Sequence, residues 1–254
     1  MRIAVFADTH GNPYATRAVL KAISDSGPFD TVVAAGDVCS GGSDPVACVD
    51  MLQAARVQMV YGNGDEFIFT LPKEPPAEMY RARWRQTIQN SKWAAEKLGK
   101  ERVNWLKEHP FELRFSPTQD TWDDLLIVHA NPKDVYTHVA PPEGIQKELV
   151  GEVRQPDDDP VLADLFGEAQ AGIIAHGHFH YTSERFVLGI RLVNVSPCSY
   201  SGFDLDRRAR YTIFTWDGEW QVERRYVDYD FHQERKALLA SDMPGRATMA
   251  KFFE

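Results

Sequence analysis

Apolar residues along this chain fall in short blocks, and through the first sixty residues strand-like blocks alternate with helical ones. Ile3 to Ala7 is one unbroken run, Val32 to Ala35 completes a second that starts at Thr31, and Val57 to Tyr61, interrupted by Gln58, reads as the third strand. Runs that do not alternate read as strands buried on both faces. Between them the pattern predicts a helix from Pro13 to about Ser24, with Asn12 as cap and Pro13 in the first helical position, ending near Gly27-Pro28. A second helix is expected near Asp44 to Ala55, after the loop of Gly41, Gly42 and Ser43. The arrangement is that of a βαβαβ unit with a parallel sheet.

From about residue 66 to 110 the pattern becomes helical, without strand signal, and is read as an insertion beside the strand ends. In it Trp93 and Trp105, with Leu98, Val103 and Leu106, are expected to pack against the body. Strands resume after Phe111, with Leu125 to Val128 and Ile173 to Gly177 as further apolar runs. Hairpins are expected for Phe186 to Leu188 with Arg191 to Val195, and for Tyr211 to Trp216 with Trp220 to Tyr226. The segment from about His232 reads as helical, and the acidic stretch Asp157 to Asp159 as a solvated loop. The expected organisation is α/β, one domain over residues 1–254 carrying the insertion.

Composition narrows the classes. A chain of 254 residues with 43% hydrophobic content suits a globular α/β protein. No apolar run reaches about eighteen residues, and Met1-Arg2 leads straight into a strand, so a cytoplasmic protein without membrane attachment is expected. Cys39, Cys48 and Cys198 form no Cys-x-x-Cys pair and read as reduced thiols. A net charge of -9 argues against stable nucleic-acid binding, which rests on clustered Lys and Arg. It leaves room for a small phosphorylated substrate at a locally positive site.

Such a site is suggested by seven metal-capable side chains placed where apolar runs stop: Asp8 and His10, Asp37, Asn63, His129, and His178 with His180. Open α/β sheets bind ligands beyond the carboxyl ends of their strands, so one rim would gather all seven. Side chains two apart leave a strand on one face, so Asp8 with His10, and His178 with His180, can each serve one ion. Carboxylate and imidazole donors suit Mn, Fe, Ni or Zn better than Ca or Mg. Seven donors exceed the needs of one ion and fit two divalent ions if a carboxylate bridges them, Asp37 being the natural bridge. Two such ions bring about +4, and two carboxylates with a hydroxide remove about three, which leaves a site attractive to phosphate.

The blocks Asp8-Thr9-His10, Gly36-Asp37, Gly62-Asn63-Gly64-Asp65, His129 and Gly177-His178-Phe179-His180 resemble, in order and placement, those of the calcineurin-like metallophosphoesterase family. The opening Asp8 to Asn12, and Gly36-Asp37 followed by a Gly-rich loop and Asp44-Pro45, are most similar to its small prokaryotic branch. The resemblance implies a four-layer α/β/β/α sandwich of two mixed sheets and a dinuclear site. It assigns Asp8, His10, Asp37 and His180 to one ion and Asp37, Asn63, His129 and His178 to the other, with Asp37, Asn63 and His178 in catalysis. It further implies a phosphoesterase working by in-line attack of a metal-bridging hydroxide; the lack of a histidine at Gly64 slightly favours phosphodiesters as esters with good leaving groups.

Two positions depart from the family pattern. Many members carry a histidine where this chain has Gly64, so the leaving group must be acidic or another side chain must supply a proton. Ser40 stands where many have an acid. Asp65 is expected to orient a neighbouring histidine, and Asn194 to Pro197 loosely resembles the family's late loop over the site. Candidate substrate contacts are Asn12 and, as a clamp from one helical face, Arg81 and Arg85; the plainer reading of these arginines is a solvated face. A binding or scaffold protein on the same fold is the alternative function, and it should have lost ligands. A nuclease on long nucleic acid is disfavoured by the charge.

Overall fold

The computed structural model describes residues 1–203 and 206–254. In chain order the first half comprises β1 (Arg2–Phe6), α1 (Pro13–Ser26), β2 (Thr31–Ala35), α2 (Pro45–Ala54), β3 (Gln58–Val60), α3 (Asn63–Thr70) and α4 (Trp84–Lys107). The second half comprises β4 (Glu112–Phe115), β5 (Leu125–Val128), α5 (Glu143–Val150), α6 (Pro160–Phe166), β6 (Ile173–His176), β7 (Ser183–Val187), β8 (Ile190–Asn194), β9 (Ala209–Trp216), β10 (Trp220–Val227), α7 (Phe231–Ala240) and α8 (Arg246–Met249).

Two mixed five-stranded sheets result, ordered β10-β9-β1-β2-β3 and β4-β5-β6-β8-β7. In the first, β1, β2 and β3 are parallel and β9 runs antiparallel to β1. In the second, β5, β6 and β8 are parallel, with β4 and β7 antiparallel at the edges. Alternate residues of each central strand face opposite ways, which explains the unbroken apolar runs. Ile3, Val5 and Ala7 meet Leu125, Ile127, Ile173 and Ala175 between the sheets. Ala4 and Phe6 face the other way, into a core with Val19 of α1, Leu52 of α2 and Leu238 of α7. Leu126, Val128 and Ile174 pack under Leu162 and Phe166 of α6. Helices thus cover both outer faces, and the sandwich has the four layers expected.

The caps follow the sequence. Asn12 Oδ1 accepts from the Tyr14 and Ala15 amides, and Asp44 from that of Ala47. The insertion is helical as expected, with α4 broken at Gly99 (φ 69°, ψ 171°). Trp93, Leu98 and Leu106 are buried against the body, with Val103 and Trp105 beside them. Both hairpins form.

The acidic stretch is the exposed turn expected, with Asp157 and Asp158 open to solvent, and it is also anchored at both ends. Asp159 caps α6 through the Val161 amide, and Asp157 takes a 2.7 Å bond from the buried Arg185 guanidinium. The stretch is an anchored junction between two short helices, which periodicity could not reveal because each spans about two turns. All three cysteines are buried and unpaired. Among the described residues no helix is long and apolar enough to cross a membrane.

Candidate metal centre

The carboxyl ends of β1, β2, β3, β5 and β6 converge, and the seven candidate donors meet there. Four of them hold left-handed backbone: Asp8 (φ 58°), His10 (φ 50°), Asp37 (φ 53°) and His178 (φ 66°). That conformation costs an L-residue roughly 1–2 kcal/mol, and such strain clusters at functional sites. Here it turns each side chain away from its strand and toward a common centre. Gly36 lets the chains approach, because a Cβ there would lie 2.6 Å from His129 Nδ1 and 2.7 Å from the Gly62 amide.

Each of the four imidazoles has one nitrogen committed to a backbone carbonyl. His10 Nδ1 lies 2.8 Å from Ser40 O, His180 Nδ1 2.9 Å from Tyr200 O, His129 Nδ1 2.9 Å from Ala35 O, and His178 Nε2 3.0 Å from Tyr136 O. A carbonyl only accepts, so these nitrogens carry the protons and the opposite nitrogens of the neutral rings are bare. The bare atoms are aimed at one another. His10 Nε2 and His180 Nε2 are 3.0 Å apart. His129 Nε2 lies 3.2 Å from His178 Nδ1 and 3.0 Å from Asn63 Oδ1.

Lone pairs so placed repel unless a positive centre lies among them. Two nitrogens each about 2.1 Å from one ion, at right angles, stand about 3 Å apart. The carboxylates complete two groups. Asp8 Oδ1 is buried with no hydrogen-bond partner, 3.7 Å from His10 Nε2 and 3.5 Å from His180 Nε2. Asp37 turns Oδ2 toward His10 at 3.9 Å and Oδ1 toward His129 at 3.6 Å. Asp8, His10 and His180 therefore form one set that could hold a metal ion, and Asp37, His129 and His178 a second. The donor chemistry, the orphaned Asp8 oxygen and the opposed lone pairs all fit divalent cations.

Protonation alone serves the two sets unequally. Burial pushes the His180 imidazole down, but the facing Asp8 carboxylate outweighs it and raises the ring's proton affinity. Burial likewise opposes ionisation of Asp8, yet His180, His129 and His10 hold it below the usual carboxylate range. A proton on His180 would ease the first set. In the second, burial and then His129 push His178 well below the ordinary histidine range, so its bare nitrogen stays bare.

Asp65 does something other than orient a histidine. Its Oδ2 accepts from the Asp37 amide at 2.7 Å and the Gly62 amide at 3.0 Å, and its Oδ1 from the Val38 amide at 3.0 Å. It ties the ends of β2 and β3 together through backbone, because the histidine nitrogens are already occupied by carbonyls. The Gly64 amide donates to Asp37 Oδ1 at 2.6 Å and fixes that oxygen. The two departures from the family pattern face each other: a Cβ at position 64 would overlap Ser40 Oγ. Asn194 Nδ2 donates to Phe179 O at 2.8 Å, and the Ser199 amide to Asp8 O at 3.0 Å, so the late loop braces the site from behind.

The three candidate substrate contacts lie elsewhere. Asn12 is fully buried, its oxygen spent on the α1 cap and its Nδ2 on Ser199 Oγ at 2.9 Å. Arg81 sits in a 3-10 turn (Glu78–Arg83), exposed and paired with Glu78 at 2.8 Å, whereas Arg85 is exposed in the first turn of α4. The break between these elements removes the shared helical face. Neither arginine lines the cavity beside the donors, which is bordered from the insertion by Phe67, Tyr80, Thr87, Asn90 and Ser91. Those lining residues, and the carbonyls that fix the tautomers, carried no sequence signal, since polar helix positions and backbone oxygens are common everywhere.

A profile of the calcineurin-like phosphoesterase family matches residues 1–182. The fold is similar to that of a metallophosphoesterase from Sphaerobacter thermophilus, at 21% identity over 100% of this chain and 98% of that one, with a TM-score of 0.68. It is also similar to a hypothetical protein from Pyrococcus horikoshii OT3, at 15% identity over 99% and 97% of the two chains, with a TM-score of 0.76. No curated protein matches the sequence.

Proposed function

The chain belongs to the calcineurin-like phosphoesterase family, and from that premise we propose that it hydrolyses a small phosphate ester with two divalent ions drawn from Mn, Fe, Ni or Zn. The observation that carries this reading is the pair of donor groups on either side of Asp37, whose bare imidazole nitrogens face each other at 3.0 and 3.2 Å. Asp8, His10, Asp37 and His180 would hold one ion, and Asp37, Asn63, His129 and His178 the other. When bound, such ions supply Lewis acidity, activating water near neutral pH and drawing charge from phosphoryl oxygens.

The chain's own residues do the rest. The four carbonyls fix each imidazole in the tautomer and orientation that presents a lone pair, the usual second layer of a metal site. Asp37 offers one oxygen to each group, and the Gly64 amide and the Asp65 clamp keep it there. No side chain stands at position 64 to protonate a leaving group. Esters with acidic leaving groups, phosphodiesters slightly ahead of monoesters, are therefore the favoured substrates. Retention of all seven donors disfavours a scaffold that has abandoned the chemistry.

The test is turnover of aryl and alkyl phosphate mono- and diesters after loading with each metal. Rates should fall steeply as the leaving alkoxide becomes more basic. Equal rates across that range would contradict the inference from Gly64.

A further inference from the structure

Beside the donor groups is a cavity of about 200 Å³ whose floor is His10, Asp37 and Asn63 and whose roof is the helical insertion. Its size is below the roughly 300–1,000 Å³ of pockets for drug-sized ligands. No Lys or Arg lines it. A phosphate beyond the reacting one would find no counter-charge there. What the walls offer is uncharged: Phe67, Met249 and the Tyr80 ring make much of the surface apolar, and Thr87, Asn90 and Ser91 on α4, with Ser40 across from them, set polar groups into it. Thr87 Oγ1 donates to Arg83 O at 3.2 Å and Ser91 Oγ to Thr87 O at 3.0 Å, which leaves both hydroxyl oxygens able to accept. Asn90 uses its oxygen for Gln86 and keeps its amide hydrogens as donors. Tyr80, in the same wall, has a buried hydroxyl without a partner. Gly64 opens the space, since any Cβ there would project toward Ser40 and Asp37.

We propose that this cavity receives the retained alcohol of a phosphodiester whose other group, the leaving one, is acidic, and selects a small, uncharged, hydroxyl-bearing alcohol over a nucleoside or a polyphosphate. The inference rests on the phosphoesterase reading and deepens it by naming the substrate class. In the reaction a water oxygen bonds to phosphorus and the bond from phosphorus to the acidic leaving group's oxygen breaks; that group departs as its anion, the water gives up a proton to solvent, and the alcohol in the cavity stays bonded to phosphorus as a phosphate monoester. The insertion is then the specificity element: its length and its polar residues set what fits, whereas the strand ends set the chemistry.

The comparison to make is the 4-nitrophenyl diester of glycerol 1-phosphate against the 4-nitrophenyl diester of adenosine 5′-monophosphate, with manganese-loaded protein. Both release the same 4-nitrophenolate, so their difference reports fit and not leaving-group acidity. The glycerol ester should have kcat/KM at least about ten-fold higher. Tyr80→Ala, which opens the wall, should shrink that ratio to about three-fold or less, and Asn90→Leu should lower kcat/KM for the glycerol ester more than for methyl 4-nitrophenyl phosphate. Equal kcat/KM in the unmodified protein, or a ratio untouched by both substitutions, would overturn the assignment. Absence of turnover for every ester with Mn, Fe, Ni and Zn would instead refute the hydrolase reading, and this inference with it.

Discussion

The rim of strand ends and the helical insertion above it are built on opposite principles. At the rim, Asp8 and His129 are fully buried, Asp37 and Asn63 nearly so, and each histidine is locked by a carbonyl. Asp8, His10, Asp37 and His178 also hold left-handed backbone. In the insertion, Arg81 and Glu78 pair in solvent, Arg85 is exposed, and α4 is interrupted at Gly99 with nothing near the site a side chain there would occupy. The contrast teaches that position is over-determined where charge must be held and loosely specified on the solvent face of the insertion. Substitutions at the rim should abolish function, those on the cavity wall should redirect it, and those on the solvent face should leave it nearly unchanged.

The sharpest way to break this contrast is Asp37→Asn, which removes the charge shared by both donor groups; nearly all phosphoesterase activity should vanish, measured on an aryl phosphodiester. Next comes Asp65→Ala, which removes no candidate donor side chain but strips the acceptor from three buried amides, that of Asp37 among them. Leaving them unsatisfied should cost about 3 kcal/mol or more of stability in urea denaturation, and a wild-type midpoint would show that the clamp is dispensable.

Glu234 supports the rim from α7, accepting from the Ser43 amide at 2.9 Å and from Ser43 Oγ at 2.6 Å. Burial pushes its carboxyl from an ordinary 4.5 up to about 7. The native state therefore keeps a proton that the unfolded chain releases between those values, so this group's contribution to stability is complete below pH 4.5 and is lost as pH rises to about 7. The loss is at most roughly 3 kcal/mol. Glu234→Gln should flatten that slope in unfolding measured from pH 4.5 to 8; an unaltered slope would locate the titration elsewhere. The smallest effects belong to Arg81→Ala and Arg85→Ala, each expected to leave stability within about 0.5 kcal/mol and kcat/KM within about two-fold. A large rise in KM would restore the clamp that the structure places outside the cavity.

Much of the rim was legible because its logic is local. An apolar run buried on two faces followed by a donor can be read without knowing the fold, and β1, β2, β5 and β6 follow that rule closely. The hairpins were legible for a similar reason, since Leu188-Gly189 and Gly218 adopt the positive φ that tight turns demand. What stayed hidden depends on distant partners. Asp65 sits three residues from the Gly62 amide but spends its other bonds on Asp37 and Val38, reached only when β2 and β3 pair. Asn12 looked free for a ligand until Ser199, far along the chain, took its amide. The helices α5 and α6 were too short to show a period, and Arg81 and Arg85 were read on one helix that the chain divides in two.

The central claim is that two cations share the Asp37 carboxylate. Calorimetric titration of metal-stripped protein with Mn²⁺, checked by elemental analysis after desalting, tests it most directly. The account predicts two ions bound per chain in the natural protein and the loss of both in Asp37→Asn. A single ion per chain in the natural protein, or two retained by Asp37→Asn, would contradict it.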